Sequence, residues 1–163
     1  MTVVVVEGES DRAALEVLSE RMSIKLPPVI VLGGAHGIRR PLHDLEGQDV
    51  LGLVDANERH VFEDLADEIY VCEPDLEGEL IRALGVAGVE AVIAAEGELA
   101  SYRRLQGQPA QRQQPADRPL ARFLGGRSGN KLRYARLLAA AVPLGRTPPP
   151  LAALLRAAAK RQE

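Results

Sequence analysis

Four short, almost wholly apolar runs in the first half of the chain constrain its fold more than any other feature of the sequence. They occupy residues 2–6, 29–32, 50–54 and 68–72. A strand with one solvated face alternates apolar and polar residues, whereas a strand buried on both faces in a parallel sheet is apolar throughout. The sequence therefore predicts an α/β fold with a mainly parallel four-stranded sheet flanked by helices.

Segments with helical periodicity separate and follow these runs. Apolar residues recur at helical spacing over residues 10–23, where Ser10 is the expected N-cap. Further helices are predicted up to residue 45 after a glycine-rich turn, and over residues 58–66, 76–84, 86–95, 120–124, 131–142 and 151–160. Residues 106–119 are predicted to form a mobile polar loop, and prolines 148–150 to act as helix breakers. We expect an α/β core at residues 1–100 and a helical extension at 101–163 packed on the same domain.

Charge is unevenly distributed along the chain, although the net charge is only -3. Acids dominate up to Glu98, and Arg and Lys dominate from Arg103 to Arg161. This segregation fits a metal site beside a phosphate-binding surface, and it also fits solvated helix faces. The first apolar run is too short for a membrane span or signal peptide, so we expect a soluble, cytoplasmic protein. The single cysteine, Cys72, is predicted to be a buried core residue.

Acidic side chains follow three of the four apolar runs. Glu7 follows the first run, Asp55 the third, and Asp75 and Glu77 the fourth, while Asp11 lies one helical turn beyond Glu7. Each acid alone fits a helix N-cap, but the carboxyl ends of parallel strands meet at one sheet edge. Grouped carboxylates repel one another unless a cation is bound, and Mg²⁺ or Mn²⁺ prefers such oxygen ligands. The pattern predicts a divalent metal site, with no His or Cys spacing that indicates zinc.

Three motifs carry a resemblance to a known family. They are Glu7-Gly8-Glu9-Ser10-Asp11, Val54-Asp55-Ala56-Asn57 and Asp75-Leu76-Glu77. In this order, on alternating strands and helices, they resemble the TOPRIM domain of topoisomerases, primases and nucleases. With the later Ser128-Gly129-Asn130-Lys131, the chain looks most like the C-terminal nuclease domain of the OLD (overcoming lysogenization defect) family. The resemblance implies a TOPRIM fold and Mg²⁺- or Mn²⁺-dependent hydrolysis of phosphodiester bonds in nucleic acid, with DNA as the expected substrate.

The resemblance also implies roles for individual residues. The metal ligands that it implies are Glu7, Asp11, Asp55, Asn57, Asp75 and Glu77. Glu7 is alternatively a proton shuttle, Lys131 neutralises charge on the phosphate or the leaving oxygen, and Ser128 donates a hydrogen bond or caps the helix that presents the lysine. Candidates for sequence-independent contacts to the nucleic-acid backbone are Arg103, Arg104, Arg112, Arg118, Arg122, Arg127, Arg133 and Arg136.

Two departures from the family pattern leave a second interpretation open. Asn57 stands where the pattern has its second aspartate, and an amide oxygen ligates Mg²⁺ without adding negative charge. The sequence also lacks the Gly-x-x-x-x-Gly-Lys-Ser/Thr motif, so the ATPase that OLD proteins usually carry would come from a separate subunit. The alternative to a nuclease is a non-catalytic nucleic-acid-binding or regulatory TOPRIM remnant.

Overall fold

The sheet has four parallel strands, and the parallel register brings their carboxyl ends to one edge. The structure is a computed structural model, and it describes residues 1–33, 45–126 and 129–163. The strands are β1 (Thr2–Val6), β2 (Val29–Val31), β3 (Asp49–Asp55) and β4 (Glu68–Cys72), in the order β2-β1-β3-β4. Val6 lies opposite Leu53, and Asp55 lies opposite Cys72. The predicted α/β class and four-stranded parallel sheet are confirmed.

Helices flank the sheet and continue to the end of the chain. In the described ranges they are α1 (Glu9–Arg21), α2 (Arg59–Phe62), α3 (Leu76–Ala95), α4 (Leu99–Gln106), α5 (Asp117–Gly125), α6 (Asn130–Ala141) and α7 (Pro149–Lys160). Two short 3₁₀ turns cover Ala56–Glu58 and Leu144–Arg146. None of the helices in these ranges has both the length and the apolar character that a membrane span requires.

Both faces of the central strands are buried, which explains why their sequences are apolar throughout. Along β1, Val4 and Val6 face a large core to which α1, α3, α4, α5, α6 and α7 all contribute. Val3 and Val5 face a smaller core that includes Phe62 of α2. The C-terminal helices thus share a core with the sheet, while the division at residue 100 stays a prediction.

Some helix boundaries differ from those the sequence predicted. The N-cap of α1 is Gly8, so the assignment of Ser10 is wrong; Ser10 lies buried in the first turn. Helix α4 was not predicted, and successive turns follow it before α5 begins at Asp117, which shortens the predicted loop. Pro149 and Pro150 begin α7, because a first helical turn needs no backbone N–H bonds. The helix predicted up to residue 45 falls largely on residues 34–44, outside the described ranges.

Candidate active site

One cavity at the carboxyl edge of the sheet brings together side chains from four separate parts of the chain. Its volume is about 300 Å³, and we call it the carboxylate cavity. The predicted site residues that line it are Glu7, Asp11, Asp55, Glu77 and Lys131. Glu7 follows β1, Asp55 ends β3, and the other three lie in the first turns of α1, α3 and α6. Residues up to 124 positions apart, Glu7 and Lys131, therefore share one concave surface.

Backbone hydrogen bonds fix the loops that present Glu7 and Asp11. The N–H of Gly33 donates to the carbonyl oxygen of Glu7 at 2.9 Å, and Gly33 has a φ of +69°, a conformation that favours glycine. The N–H of Gly8 donates to Oδ2 of Asp11 at 3.0 Å, which satisfies a free donor at the start of α1. One carboxylate oxygen of Asp11 therefore holds the helix start, beside the cavity that the residue lines.

The loops that follow β3 and β4 are tied together, which sets Asp55 beside the start of α3. The N–H of Ala56 donates to the carbonyl oxygen of Pro74 at 3.1 Å. Asp55 precedes the 3₁₀ turn Ala56–Glu58, but its side chain makes no capping bond there. Its carboxylate is therefore not used by the turn that it begins.

Burial and repulsion from neighbouring acids raise the pKa values of Asp55 and Asp11 in the cavity. Burial raises the pKa of Asp55 from 3.8 to about 7, with further increases from Asp11, Asp75, Glu77 and Glu7. Burial also raises the pKa of Asp11 to about 6, against the lowering effect of the Gly8 N–H bond. Ionising these carboxyl groups together therefore costs free energy, and a bound cation would lower that cost.

Lys131 is a cation that lies beside these carboxylates. Its Nζ lies 3.7 Å from Oε1 of Glu77. Burial lowers the pKa of Lys131. The nearby acids Glu77, Asp11, Asp55 and Asp75 raise it by a larger amount, so the net shift is upward and the ammonium stays charged. The charged nitrogen thus offsets part of the repulsion among the carboxylates.

The donor set suits a hard divalent cation in its chemistry. Oε1 of Glu77 is buried without a hydrogen-bond partner, and Glu7, Asp11 and Asp55 supply further carboxylate oxygens to the cavity. Across residues 1–33, 45–126 and 129–163, however, no three His, Cys, Asp or Glu side chains are grouped tightly enough to hold a metal ion. The chemistry fits Mg²⁺ or Mn²⁺, and binding would require the side chains to draw together.

Comparison with known proteins gives matches among solved structures. The C-terminal region of the Burkholderia pseudomallei OLD protein matches with a TM-score of 0.67 at 18% identity, covering 99% of this chain and 98% of that chain. Two structures of the C-terminal region of the Xanthomonas campestris pv. campestris OLD protein match with TM-scores of 0.64 and 0.62 at 20% and 21% identity. They cover 98% and 99% of this chain, and 94% and 98% of theirs.

The chain has the fold of the C-terminal region of OLD proteins. No family model matches the chain, and no curated protein matches it. The resemblance inferred from the sequence motifs is therefore confirmed at the level of the fold.

Within this OLD C-terminal fold, two predicted ligands do not line the cavity. Asp75 is the N-cap of α3, where its Oδ1 accepts the N–H of Gly78 at 2.8 Å, and it lines a neighbouring cavity instead. Its charge still raises the pKa of Asp55. Asn57 is exposed in the turn Ala56–Glu58. The structure therefore gathers Glu7, Asp11, Asp55 and Glu77, but not these two.

The predicted basic contacts fall into several groups in the OLD C-terminal fold. Ser128 and Arg127 lie outside the described residues. Nη2 of Arg103 bonds Glu90 at 2.7 Å, and Arg133 bonds Glu98 and lies 3.4 Å from Glu96. Arg104 and Arg122 line a cavity between α4 and α5. Arg112, Arg118 and Arg136 are exposed, and Arg118 borders the cavity that contains Asp75.

Sequence reasoning left out two acidic residues at the cavity, Glu9, which lines it, and Glu58. After burial, the charge of Glu58 is the main cause of the raised pKa of Glu7. Glu58 ends the 3₁₀ turn that starts after Asp55, so the tight turn brings it back toward the strand end. A second acid three residues after a strand-end aspartate was the signal available in the sequence.

Proposed function

We propose that this chain is a Mg²⁺- or Mn²⁺-dependent nuclease that hydrolyses phosphodiester bonds, with DNA as its substrate. One observation carries the proposal: Glu7, Asp11, Asp55 and Glu77 share a cavity with Lys131 at the carboxyl edge of a parallel sheet. Ligands and catalytic groups of open α/β folds gather at this edge. The sequence motifs and the OLD C-terminal fold support the same assignment.

The cavity carboxylates are the residues that would hold the cation. A bound divalent cation supplies polarisation of the phosphate and a water of lowered pKa. In the described residues, Asp55 makes no capping bond and Oε1 of Glu77 accepts no hydrogen bond, whereas one oxygen of Asp11 accepts the N–H of Gly8. Asp75 acts indirectly in this proposal, because its cap on Gly78 fixes the turn of α3 that presents Glu77.

Lys131 and Glu7 supply the remaining chemistry of the proposed reaction. The ammonium of Lys131 stays charged and would neutralise negative charge that develops on the phosphate. Burial and Glu58 raise the pKa of Glu7 above its ordinary value, so its carboxyl group holds a proton more readily than a free glutamate does. Glu7 would therefore donate a proton to the leaving oxygen, or it would ligate the cation instead.

A non-catalytic nucleic-acid-binding module is the second candidate, and two observations favour it. Asn57 brings no charge and is exposed outside the cavity lining. In the part of the chain that the structure describes, the acids are not grouped closely enough for an ion. An ATPase from another chain and a cytoplasmic location also stay predictions.

A plasmid cleavage assay separates the two candidates. Supercoiled DNA is incubated with the protein and either Mg²⁺ or Mn²⁺, with EDTA as the metal-free condition. We expect wild-type cleavage that falls by about 10²-fold or more in Glu7→Ala and Lys131→Ala. Glu20→Ala is the matched control, because Glu20 is exposed on α1 and does not line the cavity. DNA binding without cleavage by either metal would favour the binding module instead.

A further inference from the structure

A further cavity lies between α4 and α5, and basic side chains line it. Its volume is about 430 Å³, and Arg104 and Arg122 contribute to its wall. None of the described residues that line it is acidic. Neither arginine forms an ion pair with any residue that the structure describes. We call this the arginine cavity.

The absence of acidic partners sets these two arginines apart from their neighbours. Arg103, adjacent in sequence to Arg104, bonds both carboxylate oxygens of Glu90 at 3.2 and 2.7 Å. Arg133 is likewise held by acidic side chains. Two guanidinium groups that border one cavity without a described carboxylate create a positive potential that favours a bound anion. The arginine cavity is therefore complementary to an anion.

Aromatic packing connects the arginine cavity to the helix that carries Lys131. Phe123, which lines the cavity, packs edge-on against Tyr102 at 5.5 Å and Tyr134 at 5.9 Å between ring centroids. All three aromatic side chains are buried. Tyr134 lies one helical turn beyond Lys131 in α6. This packing holds α4, α5 and α6 together, so the position of the arginine cavity relative to Lys131 is defined.

The covalent chain limits the distance between the two sites. Gly126, at the edge of the arginine cavity, and Lys131 are joined by five peptide links. Five links span no more than about 19 Å between Cα atoms. Successive bases of one strand rise by about 3.4 Å, so roughly five steps cover this distance. A short segment of one nucleic-acid strand is therefore long enough to span the distance between the candidate active site and the arginine cavity.

We infer that the arginine cavity binds backbone phosphate of the nucleic-acid strand whose phosphodiester bond is presented to the carboxylate cavity. The inference rests on the proposed function for the identity of the strand. The planar guanidinium fork matches phosphate oxygens and pairs with them through two hydrogen bonds. Phosphate contacts fix the position of a strand without distinguishing its sequence. The arginine cavity thus holds the strand in register with Lys131 for any base sequence.

Binding of a fluorescent single-stranded oligonucleotide, measured by anisotropy in EDTA over a range of salt concentrations, tests this inference. In the double variant Arg104→Gln/Arg122→Gln, we expect affinity to fall about tenfold or more at low salt. The slope of log K against log salt becomes shallower by about 0.7 if the arginines share one phosphate, and about 1.4 if they bind two. The charge-conserving variant Arg104→Lys/Arg122→Lys retains the slope but binds more weakly, because lysine lacks the fork.

Arg156→Gln is the matched control. Arg156 is exposed on α7 and has no ion-pair partner in the described ranges, so the control removes one positive charge elsewhere. We expect its slope to match that of the wild type. Equal losses per charge in the control and the double variant would overturn the inference, because binding would then follow net charge alone. Thermal unfolding of each variant verifies that it is folded.

The two proposals fail separately. Oligonucleotide binding in EDTA requires no metal and no cleavage, whereas the plasmid assay scores cleavage alone. A reduced slope without plasmid cleavage would remove the nuclease and leave the arginine cavity as a strand-binding site. Plasmid cleavage with an unchanged slope in the double variant would overturn the arginine cavity and leave the nuclease.

Discussion

Asp55 couples the stability of the metal-free protein to pH. Its pKa rises from 3.8 to about 7 on folding, mainly through burial and then through its acidic neighbours. Below pH 3.8 the carboxyl group is protonated in both states. Between these values the unfolded state loses the proton while the folded state retains it, so the free energy of unfolding falls as pH rises. Above pH 7 the full destabilisation is present.

We predict that Asp55→Asn stabilises the metal-free protein at pH 8 and has little effect at pH 4. After allowance for solvent screening, the gain at pH 8 is about 1–2 kcal/mol. Thermal unfolding in EDTA from pH 4 to pH 8 measures the difference. An equal effect of the substitution at both pH values would show that ionisation of Asp55 does not matter for stability.

The sequence predicted that the acids lie at one edge of the sheet, but it did not predict which of them form local hydrogen bonds. Strand-end carboxylates converge because parallel strands end at one edge, and the apolar runs predicted those ends. Whether a side chain enters the cavity depends on competing local bonds. Asp75 caps α3 through Gly78, whereas Asp55 makes no capping bond, and both follow strands in the sequence. Capping bonds of this kind depend on the geometry of individual turns.

Glycine at position 52 allows β3 to pack closely against α2. A Cβ atom there would lie 3.1 Å from Cβ of Ala66 and 3.2 Å from Cδ1 of Phe62. We predict that Gly52→Ala lowers the free energy of unfolding by about 1–3 kcal/mol, because the core around Phe62 is overpacked. Urea unfolding measures this change. Gly145→Ala is the control, since a Cβ there contacts nothing within 4 Å; equal stabilities of the two variants would contradict the account.

Arg21 links α1 to the end of α6. Its Nη1 donates to the carbonyl oxygens of Ala139 and Val142, both at 2.7 Å. Carbonyl groups at a helix end lack partners within the helix, and Arg21 supplies one.

We predict that Arg21→Ala lowers the free energy of unfolding by about 1.5–3 kcal/mol, the range for hydrogen bonds to charged groups. Arg12→Ala is the control on the same helix, because Arg12 forms only exposed pairs with Glu9 and Glu16 and should cost under about 1 kcal/mol. Denaturant unfolding compares the two variants. If Arg12→Ala proves as costly as Arg21→Ala, the bonds to α6 are not the cause.

Strands and long helices were predictable from the sequence, because the apolar pattern follows burial. The break predicted at Gly85 occurs as a kink inside α3, where Gly85 has a φ of +77°. Helix α4 escaped prediction because it is short and mostly polar, and only Tyr102 is buried. Its helical state depends on packing against Phe123 of α5, a contact between distant residues that local periodicity does not contain.

Across the whole molecule, the basic side chains of the second half of the chain fall into two groups. Some of the basic side chains bind acids of the first half, as Arg161 does with Asp49 and Glu68. Others, such as Arg104 and Arg122, have no described acidic partner and border a cavity. The charge segregation was visible in the sequence. Which arginines form ion pairs depends on tertiary contacts. The sequence therefore could not show which arginines are paired with acids and which border a cavity.

Binding of Mn²⁺ measured by isothermal titration calorimetry tests the central claim most directly. At pH 8 we predict at least one Mn²⁺ per chain, with affinity that falls below pH 7 as protons compete for Asp55. The variants Asp55→Asn and Glu77→Gln should weaken binding by about tenfold or more, while Glu20→Ala should not. Absence of Mn²⁺ binding at millimolar concentration, or equal binding by all variants, would contradict a metal site in the carboxylate cavity.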